Sequence, residues 1–225
     1  MITVYPQTGK ALWVDQHDPS PEEIAQACDQ YGLEISPREQ LEEIEFSSRL
    51  QYEDGVFTIS VPVTPHKKPG EGEDQTSPLG FVLTKDILVT VRFTHLHTFK
   101  AIMERVKRRQ RSAPDIFLVI VEAIIDYGAD RLEELRGEAL KISQRIFHKD
   151  MQLLQRQKVS VASNLLRDTL VEIGDMGERL SHIRDTLLVL QRAVPFVTEH
   201  GWLDGNGGQG APEDGRRRCP VAQRL

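Results

Sequence analysis

Carboxylates dominate the side chains of this sequence that could bind a metal. Four of them share one predicted helix: Asp126, Asp130, Glu133 and Glu134. A spacing of four residues places Asp126 beside Asp130, and Asp130 beside Glu134, and such like-charge pairs oppose the helix unless a cation or a basic neighbour compensates them. This acidic stripe could weakly accumulate a hard divalent cation such as Mg²⁺. Basic residues interleave with the stripe, so ordinary solvated ion pairing is favoured; they are Arg131, Arg136 and Lys141.

Two histidines are the next candidates for metal binding. His95 and His97 are separated by one residue, which would place both rings on one side of an extended chain. Zinc would need at least one more ligand, and Asp86 or His66 could supply it only if the chain folds back. Metal ligation is therefore the less favoured hypothesis for this pair.

A basic cluster follows the histidines and consists of Arg105, Lys107, Arg108, Arg109 and Arg111. A nucleic-acid surface would interleave aromatic side chains with such charges, and only Phe99 lies near. An acidic lipid surface or the acidic stripe of a neighbouring subunit would also suit the cluster, and an exposed helix end suits it best. Lys and Arg total 28 against 34 Asp and Glu, a net charge of −6, so we predict no nucleic-acid partner.

The sequence offers no sign of an enzyme. No nucleophile, general base or phosphate-binding loop accompanies the carboxylates, and the common catalytic motifs are absent. Cys28 and Cys219 are the only cysteines, which favours a reducing cytosol over a disulfide framework. Cys28 falls on an apolar helix face and is interpreted as a small core residue. The longest apolar run, from Ile116 to Val121, is far shorter than the roughly 18 residues of a membrane span, so we expect no transmembrane segment.

The elements that must position these residues begin with an α/β region. About five strands are predicted from alternating or continuous apolar runs: Ile2–Tyr5, Ala11–Val14, Val56–Val63, Leu79–Thr84 and Ile87–Arg92. The string Ser20-Pro21-Glu22-Glu23 is a capping box and predicts a helix that ends at Gly32. Ser36-Pro37-Arg38-Glu39 has the same pattern and predicts a second helix that carries Leu41 and Ile44 inward. His66 to Pro78 is predicted to be a solvated loop.

From Pro114 onward the apolar period is helical. One seam comprises Val121, Ile125, Leu132, Leu135, Ala139, Ile142 and Ile146, with Gly128 at the skipped position, and a second comprises Met176, Leu180, Ile183, Leu187, Leu190, Val194 and Val197. A break near His148-Lys149-Asp150 predicts a long antiparallel two-helix hairpin, with Leu180, Leu187 and Leu190 buried against Leu132, Leu135 and Ala139. After His200 a Gly- and Arg-rich tail is predicted to be disordered. The predicted domains are therefore an α/β domain (1–112), the hairpin (113–200) and the tail (201–225).

Several local strings, taken in order, resemble one known family. They are Trp13-Val14-Asp15, Pro21-Glu22-Glu23-Ile24, Tyr31-Gly32-Leu33, Leu41-Glu42-Glu43-Ile44-Glu45, Ser47-Ser48-Arg49-Leu50, Asp54-Gly55-Val56-Phe57, the run from Leu83 to Arg92, and Ile124-Ile125-Asp126 with Leu132-Glu133-Glu134-Leu135. In order and spacing they resemble the cytoplasmic domain of the CorA-type magnesium and divalent-cation transporters, a family that includes ZntB-like zinc transporters. The resemblance covers roughly Trp13 to Val197.

The resemblance implies a funnel-shaped homopentamer whose α/β domains and paired helices lie in the cytosol. It also implies a further stalk helix that leads to two C-terminal membrane helices and a Gly-Met-Asn motif at the pore mouth. This sequence runs instead into the Gly- and Arg-rich tail. We therefore expect either a gene truncated or frameshifted near Asp204, or a shortened paralogue, and in both cases ion conduction is not carried by these residues.

The resemblance also points to one regulatory residue. The family places a carboxylate in a Leu-Glu-Asp-Ile string at a subunit interface, where it senses cytosolic divalent metal, and the matching position here is Glu43. Glutamate is a hard oxygen ligand suited to Mg²⁺, although the neighbouring Glu42 points elsewhere and cannot share one ion with it unaided. The competing interpretation is a solvated helix face.

Two functions follow from the sequence. The first is the cytoplasmic domain of a CorA-like magnesium or divalent-cation transporter, a homo-oligomer with no required cofactor and with Mg²⁺ or another divalent cation as a regulatory ligand. It would be cytoplasmic as given and would lie at the cytoplasmic face of the membrane in a full-length transporter. The second is a soluble coiled-coil protein that serves self-association or adaptor functions without transport.

Overall fold

In the part of the chain that the structure describes, the N-terminal half forms a mixed six-stranded sheet. The structure is a computed structural model that describes residues 1–6, 9–43, 49–65, 76–108, 111–146 and 159–200, with only the backbone of 159–165. The strands are β1 (Ile2–Tyr5), β2 (Trp13–His17), β3 (Leu50–Glu53), β4 (Val56–Val63), β5 (Ser77–Leu83) and β6 (Leu88–Arg92). Their order across the sheet is β1-β2-β6-β5-β4-β3, and every neighbouring pair is antiparallel except β2 and β6.

The α/β prediction is confirmed, with corrections to single strands. Strands β1 and β4 have the predicted bounds, whereas β2 begins at Trp13 and continues to His17. Strand β5 already begins at Ser77, so the end of the predicted loop is part of the sheet. Strand β3 is not predicted by the sequence pattern, because Leu50 is its only aliphatic residue and most of this edge strand faces solvent.

Five helices accompany the sheet in the described residues: α1 (Pro21–Tyr31), α2 (Arg38–Leu41), α3 (Thr98–Lys107), α4 (Ala113–Gln144) and α5 (Val159–Glu199). The capping box of α1 is confirmed, since the Ser20 hydroxyl accepts from the Glu23 amide at 3.3 Å and the Ser20 amide donates to the Glu23 carboxylate at 3.0 Å. Gly32 ends this helix with φ of 64°, a left-handed conformation that glycine adopts without steric cost.

The second predicted capping box is wrong. Helix α2 is a single turn whose N-cap is Pro37 and which has no side-chain cap. Because the turn starts one residue later than predicted, the Ser36 hydroxyl is not at the capping position. The helix also ends at Leu41, so Glu42 occupies its C-cap and Glu43 follows it.

Helices cover the sheet on both faces. Alternate strand residues, among them Trp13, Phe57, Phe81 and Leu88, pack against α3, α4 and α5 in the larger core. Residues of the opposite parity pack against α1 and Leu41 in the smaller core and include Val14, Val82, Val89 and Val91. Both faces are apolar, which explains why β5 and β6 are buried along their whole length.

The predicted antiparallel hairpin is formed by α4 and α5. Gly128 lies opposite Ile183 and Leu187, whereas nearer the free end of the hairpin the Arg145 Nη1 atom lies 2.9 Å from Glu172 Oε2. Sequence numbers thus rise along α4 as they fall along α5. Within the described residues, no helix combines the length and the apolar character that a membrane span requires.

The predicted seams are only partly correct. The structure buries Leu135, Ile142, Ile183, Leu190 and Val197. It leaves Ile125 42% and Leu180 50% exposed, and Ala139 is also exposed. On α4, Val121 and Gly128 are buried as predicted, and α5 approaches closely at the glycine, but the residue buried between them is Ile124 and not Ile125.

Some predictions lie outside the described residues: the inward position of Ile44, the break at His148-Lys149-Asp150 and the disordered tail after His200. The domain boundaries at 112 and 200 also stay predictions.

Candidate functional site

The C-terminal ends of the parallel strands β2 and β6 hold a buried polar network. The pairing aligns Asp15 with Thr90 and His17 with Arg92. The Arg92 Nη2 atom lies 2.9 Å from Asp15 Oδ2, and the Arg92 Nε atom lies 3.2 Å from both oxygens of the same carboxylate. The Thr90 hydroxyl donates to Asp15 Oδ1 at 2.9 Å. The Asp15 and Arg92 side chains are only 6% and 10% exposed. A charge-assisted, bidentate pair of this kind locks two strands together.

Aromatic side chains attach this network to α3. The Trp13 indole donates from Nε1 to the Thr90 hydroxyl at 3.0 Å, and the Arg92 guanidinium lies over the Phe99 ring, 4.7 Å from its centroid. The Arg92 Nη1 atom also donates to the Thr94 carbonyl at 3.1 Å. Arginine satisfies a carboxylate, a carbonyl and an aromatic face together because its planar group presents five donors and a flat surface.

Three histidines lie beside the network, and the sequence analysis found only two of them. The ring centroids of His95 and His97 are 4.7 Å apart, and those of His17 and His95 are 6.1 Å apart. Burial, with the nearby Arg92 charge second, lowers the pKa of His17 below 6.5. In the part of the chain that the structure describes, no group of three or more histidine, cysteine or acidic side chains is arranged to hold a metal.

Glu43 is exposed and lies two residues after the last residue of α2. The Arg49 Nε atom donates to its backbone carbonyl at 3.0 Å. Its neighbour Glu42 pairs with Arg38, with 2.7 Å between Glu42 Oε1 and Arg38 Nε. The two glutamates therefore have different surroundings, and the carboxylate of Glu42 is already used within its own helical turn.

The segment that carries Glu43 is anchored to the sheet. Leu41 is 5% exposed, and the Ser60 hydroxyl of β4 donates to its carbonyl at 2.6 Å. Its side chain lies over Gly80 of β5, where an added Cβ would come within 2.9 Å of Leu41 Cδ1. Glycine at position 80 thus provides the space that fixes the chain two residues before Glu43.

The acidic stripe lies on the exposed surface of α4. Asp126, Asp130, Glu133 and Glu134 are all exposed, and Arg131 forms an ion pair with Glu134. Further along, Arg179 of α5 pairs with Glu138 of α4, and the hydrogen bond from Arg179 lowers the pKa of Glu138. For Glu134 the favoured interpretation, ion pairing on a solvated face, agrees with the structure.

Two members of the basic cluster are also paired. The Arg105 Nη2 atom lies 2.7 Å from Glu122 Oε2 of α4, and the Lys107 Nζ atom lies 2.9 Å from Glu104 Oε1. Arg108 is exposed, Arg111 is partly buried, and Arg109 lies outside the described residues. The cluster therefore meets acidic partners of its own chain rather than forming a uniformly basic surface.

A small cavity of about 50 Å³ lies where the hairpin meets the sheet. Its apolar lining includes Val63, Ile124 and Ile183, with Arg131 and Arg179 at the rim. A wider pocket of about 310 Å³ adjoins it and is lined by Thr64, Leu96, His97, Thr98 and Tyr127.

The structure thus brings some candidate residues together and separates others. His17 joins His95 and His97, and Asp15 joins Arg92, because parallel pairing of β2 and β6 places these residues side by side. The acidic stripe lies on α4, remote in sequence from Glu43, and the described residues show no metal centre that combines them. The described carboxylates of the acidic stripe and Glu43 are exposed, and carboxylate oxygens are the ligand type that Mg²⁺ accepts.

Comparison with known proteins identifies relatives across most of the chain. A family model described as "CorA-like Mg2+ transporter protein" matches residues 8–207. The magnesium transport protein CorA of Campylobacter jejuni (strain RM1221) is 26% identical over 202 residues, which are 86% of this chain and 58% of the relative. The protein of the same name from Wolinella succinogenes is 30% identical over 198 residues, 83% of this chain and 56% of the relative.

The fold also has a match among solved structures. The soluble domain of CorA from Methanocaldococcus jannaschii aligns with a TM-score of 0.50 and 15% identity, over 84% of this chain and 82% of that one. At this identity the likeness concerns the fold alone. The chain spans a little more than half the length of the curated relatives it matches.

Proposed function

Because the chain belongs to the CorA-like Mg²⁺ transporter family, we propose that it serves as the soluble domain of a magnesium or divalent-cation transporter. The match of the family model to residues 8–207 carries this proposal. The fold supports it, since the α/β sheet and the helical hairpin align with the soluble domain of an archaeal CorA. In this function the domain binds a regulatory cation and transmits that signal. It does not catalyse a reaction.

Glu43 is the proposed regulatory ligand for Mg²⁺ or another divalent cation. Its carboxylate is exposed, its segment is held by Leu41 and Ser60, and Mg²⁺ prefers one or two carboxylates with several retained waters. We place this site at a contact between copies in a homo-oligomer, which is a pentamer in the resembled family. The domain would then lie on the cytoplasmic side of the membrane, with the cation available from the cytosol.

The energetic effect of such a site is small. A cation that binds only the assembled state stabilises it by RT ln(1 + [L]/Kd), which is about 1.4 kcal/mol at ten times Kd. That is roughly a tenfold change in an association constant. Magnesium should therefore shift the population of oligomers without being required for folding.

Sedimentation velocity with and without Mg²⁺ tests the proposal on the wild-type chain, Glu43→Ala and Glu39→Ala. Glu39 is an exposed glutamate of α2, the helical turn just before Glu43, so it controls for the loss of one negative charge. We expect Mg²⁺ to increase association of the wild type and of Glu39→Ala, and to affect Glu43→Ala less. Identical responses in all three proteins would remove Glu43 from the mechanism.

A self-associating adaptor without transport activity is the second candidate. It is favoured by the exposure of several large apolar residues on α5, among them Leu166 at 59% and Leu170 at 69%. Reading the DNA downstream of the Asp204 codon in all three frames separates the two functions. Membrane helices and a Gly-Met-Asn motif are expected only for the transporter.

A further inference from the structure

The space between the sheet and the hairpin is large enough to hold a small organic molecule. Its narrow part of about 50 Å³ and its wider part of about 310 Å³ share four lining residues, so the two parts form one continuous space. The shared residues are Thr64, Leu96, Thr98 and Tyr127. Binding sites for small molecules typically have volumes of about 300–1,000 Å³. We call this space the hairpin cavity.

Buried apolar side chains make up much of the lining of the hairpin cavity. Val63 ends β4, Ile124 belongs to α4 and Ile183 belongs to α5, and Leu96 lies just before α3. All four are less than a tenth exposed. An apolar group that enters the cavity therefore leaves water and meets the sheet, α3 and both helices of the hairpin, and this transfer is the main favourable term in the binding of apolar groups.

The charged side chains of the lining are basic. Arg131 of α4 and Arg179 of α5 line the narrow part, with side chains 22% and 25% exposed. Among the described residues, no aspartate or glutamate lines either part of the cavity. The ion-pair partners of the two arginines, Glu134 and Glu138, lie outside the lining with side chains 56% and 42% exposed. The cavity thus combines an apolar wall with two guanidinium groups and no competing carboxylate.

Arg131 has donors beyond its ion pair. Among the described residues, its hydrogen bond runs from Nη1 to Glu134, and a guanidinium carries five N–H donors in one plane. Thr64 and Thr98 add hydroxyl groups to the lining, and Arg179 adds a second guanidinium at the same rim. The polar groups of the cavity are therefore mainly hydrogen-bond donors, which match the acceptor oxygens of an anion.

We propose that the hairpin cavity binds a small amphipathic carboxylate, with its apolar chain along the wall and its carboxylate at Arg131 and Arg179. A carboxylate suits these side chains because it accepts two parallel N–H bonds from one guanidinium. The bound molecule would contact the sheet and both helices of the hairpin together, so binding stabilises that packing. The proposal rests on the geometry of the cavity and not on the proposed transport role.

Isothermal titration calorimetry of the full chain tests the proposal with octanoate, 1-octanol and acetate. Octanoate has both parts of the proposed ligand, 1-octanol has the apolar chain alone, and acetate has the carboxylate alone. We expect saturable one-site binding of octanoate, and no measurable binding of acetate. Binding of 1-octanol should be at least about tenfold weaker, because it lacks the charge-assisted hydrogen bonds. The proposal is wrong if octanoate shows no saturable binding, or if either of the other probes binds as tightly.

A pair of arginine variants tests where the carboxylate is held. Arg131→Gln removes one guanidinium from the rim, and Arg136→Gln is the matched control, since Arg136 is an exposed arginine of the same helix that does not line the cavity. We expect Arg131→Gln to weaken octanoate binding about tenfold and to leave 1-octanol binding unchanged, whereas Arg136→Gln binds both like the wild type. Equal octanoate affinities in the two variants would show that Arg131 holds no carboxylate and would contradict the proposal.

A pair of threonine variants tests where the apolar chain lies. Thr64→Trp places a large ring in the cavity, whereas Thr58→Trp places it at another partly exposed threonine, which belongs to β4 and lies outside the lining. We expect Thr64→Trp to lose the binding of octanoate and of 1-octanol, and Thr58→Trp to keep both. Circular dichroism shows whether each variant is folded, and if Thr64→Trp does not fold, the arginine pair decides. Undiminished binding to a folded Thr64→Trp protein would place octanoate elsewhere and overturn the proposal.

Discussion

Apolar residues are buried in the sheet, but several are exposed in the distal half of the hairpin, the half remote from the sheet. Phe57, Phe81 and Leu88 are fully buried, because helices cover both faces of the sheet. Leu166 and Leu170 of α5 are as apolar by residue type but more than half exposed. A hydrophobic residue thus contributes stability where a second layer is available within the chain, and it marks an interaction surface where none is.

The same contrast applies to charges. Asp15 and Arg92 are shielded between strands and a helix, whereas the ion pairs of the hairpin, such as Arg145 with Glu172, have side chains 40% and 43% exposed. Exposed pairs of this kind contribute at most about 1 kcal/mol each. Stability is therefore expected to reside mainly in the sheet and its covering helices, and the half of the hairpin remote from the sheet is expected to contribute less to it.

The largest expected effect is in the core on the hairpin side of the sheet. Phe117 of α4 is fully buried and packs edge to face on Phe81, with ring centroids 5.3 Å apart. Phe117→Ala should lower the free energy of unfolding by about 3–5 kcal/mol, measured by urea denaturation with circular dichroism. Leu170→Ala, made in parallel, should change it by no more than about 0.5 kcal/mol. Equal losses in the two variants would show that the sheet and this half of the hairpin contribute alike to stability.

The buried ion pair is the next test. Asp15→Ala leaves the Arg92 guanidinium buried without its carboxylate, which should cost about 3 kcal/mol in the free energy of unfolding. Arg92→Met added to Asp15→Ala removes the stranded charge and should restore part of that loss. If the double variant is less stable than Asp15→Ala alone, the cost arises from packing and not from the charge.

Within the hairpin, one pair of substitutions distinguishes the face of α5 that packs on α4 from the face that α4 leaves exposed. Ile183, 8% exposed, lies against Gly128, whereas Leu180 is 50% exposed. Ile183→Ala should cost about 2 kcal/mol, the low end for a buried aliphatic side chain, and Leu180→Ala less than about 0.5 kcal/mol at concentrations where the chain is monomeric. Thermal denaturation of the dilute proteins measures both. A larger loss for Leu180→Ala would show that Leu180 packs against α4, as the sequence predicts.

The smallest expected effect concerns pH. The pKa of His17 is lower in the folded chain than the ordinary value of 6.5, mainly because of burial. As pH falls below 6.5, the unfolded chain takes up this proton first, so the stability that neutral His17 provides is lost between 6.5 and its folded pKa. His17→Asn should flatten the dependence of the melting temperature on pH in that interval. His200→Asn, remote from the network, is the control and should keep the wild-type slope.

Much of the fold could be predicted from the sequence where the deciding interactions are local. The bounds of α1, β1 and β4 agree with the structure, because capping residues, a glycine stop and period-two alternation act over a few neighbouring residues. The buried faces of the two long helices were harder to predict. Ile124 and Ile125 are both apolar, and only the position of Gly128 against α5 decides which of them is buried. The candidate site was found in part: Glu43 stays a prediction, and the three-histidine cluster was missing His17.

Residue types and short spacings are enough to predict the α/β region, the two long helices and the ordered strings that mark the family. The parallel pairing of β2 with β6, which places Asp15 against Arg92, and His17 near His95, across more than seventy residues of chain, is seen only in the folded chain. The same holds for which apolar residues of α5 are covered by α4 and which stay exposed. The physical reason is that strand register and helix rotation are set by the summed packing of residues distant in sequence, and no local pattern records that sum.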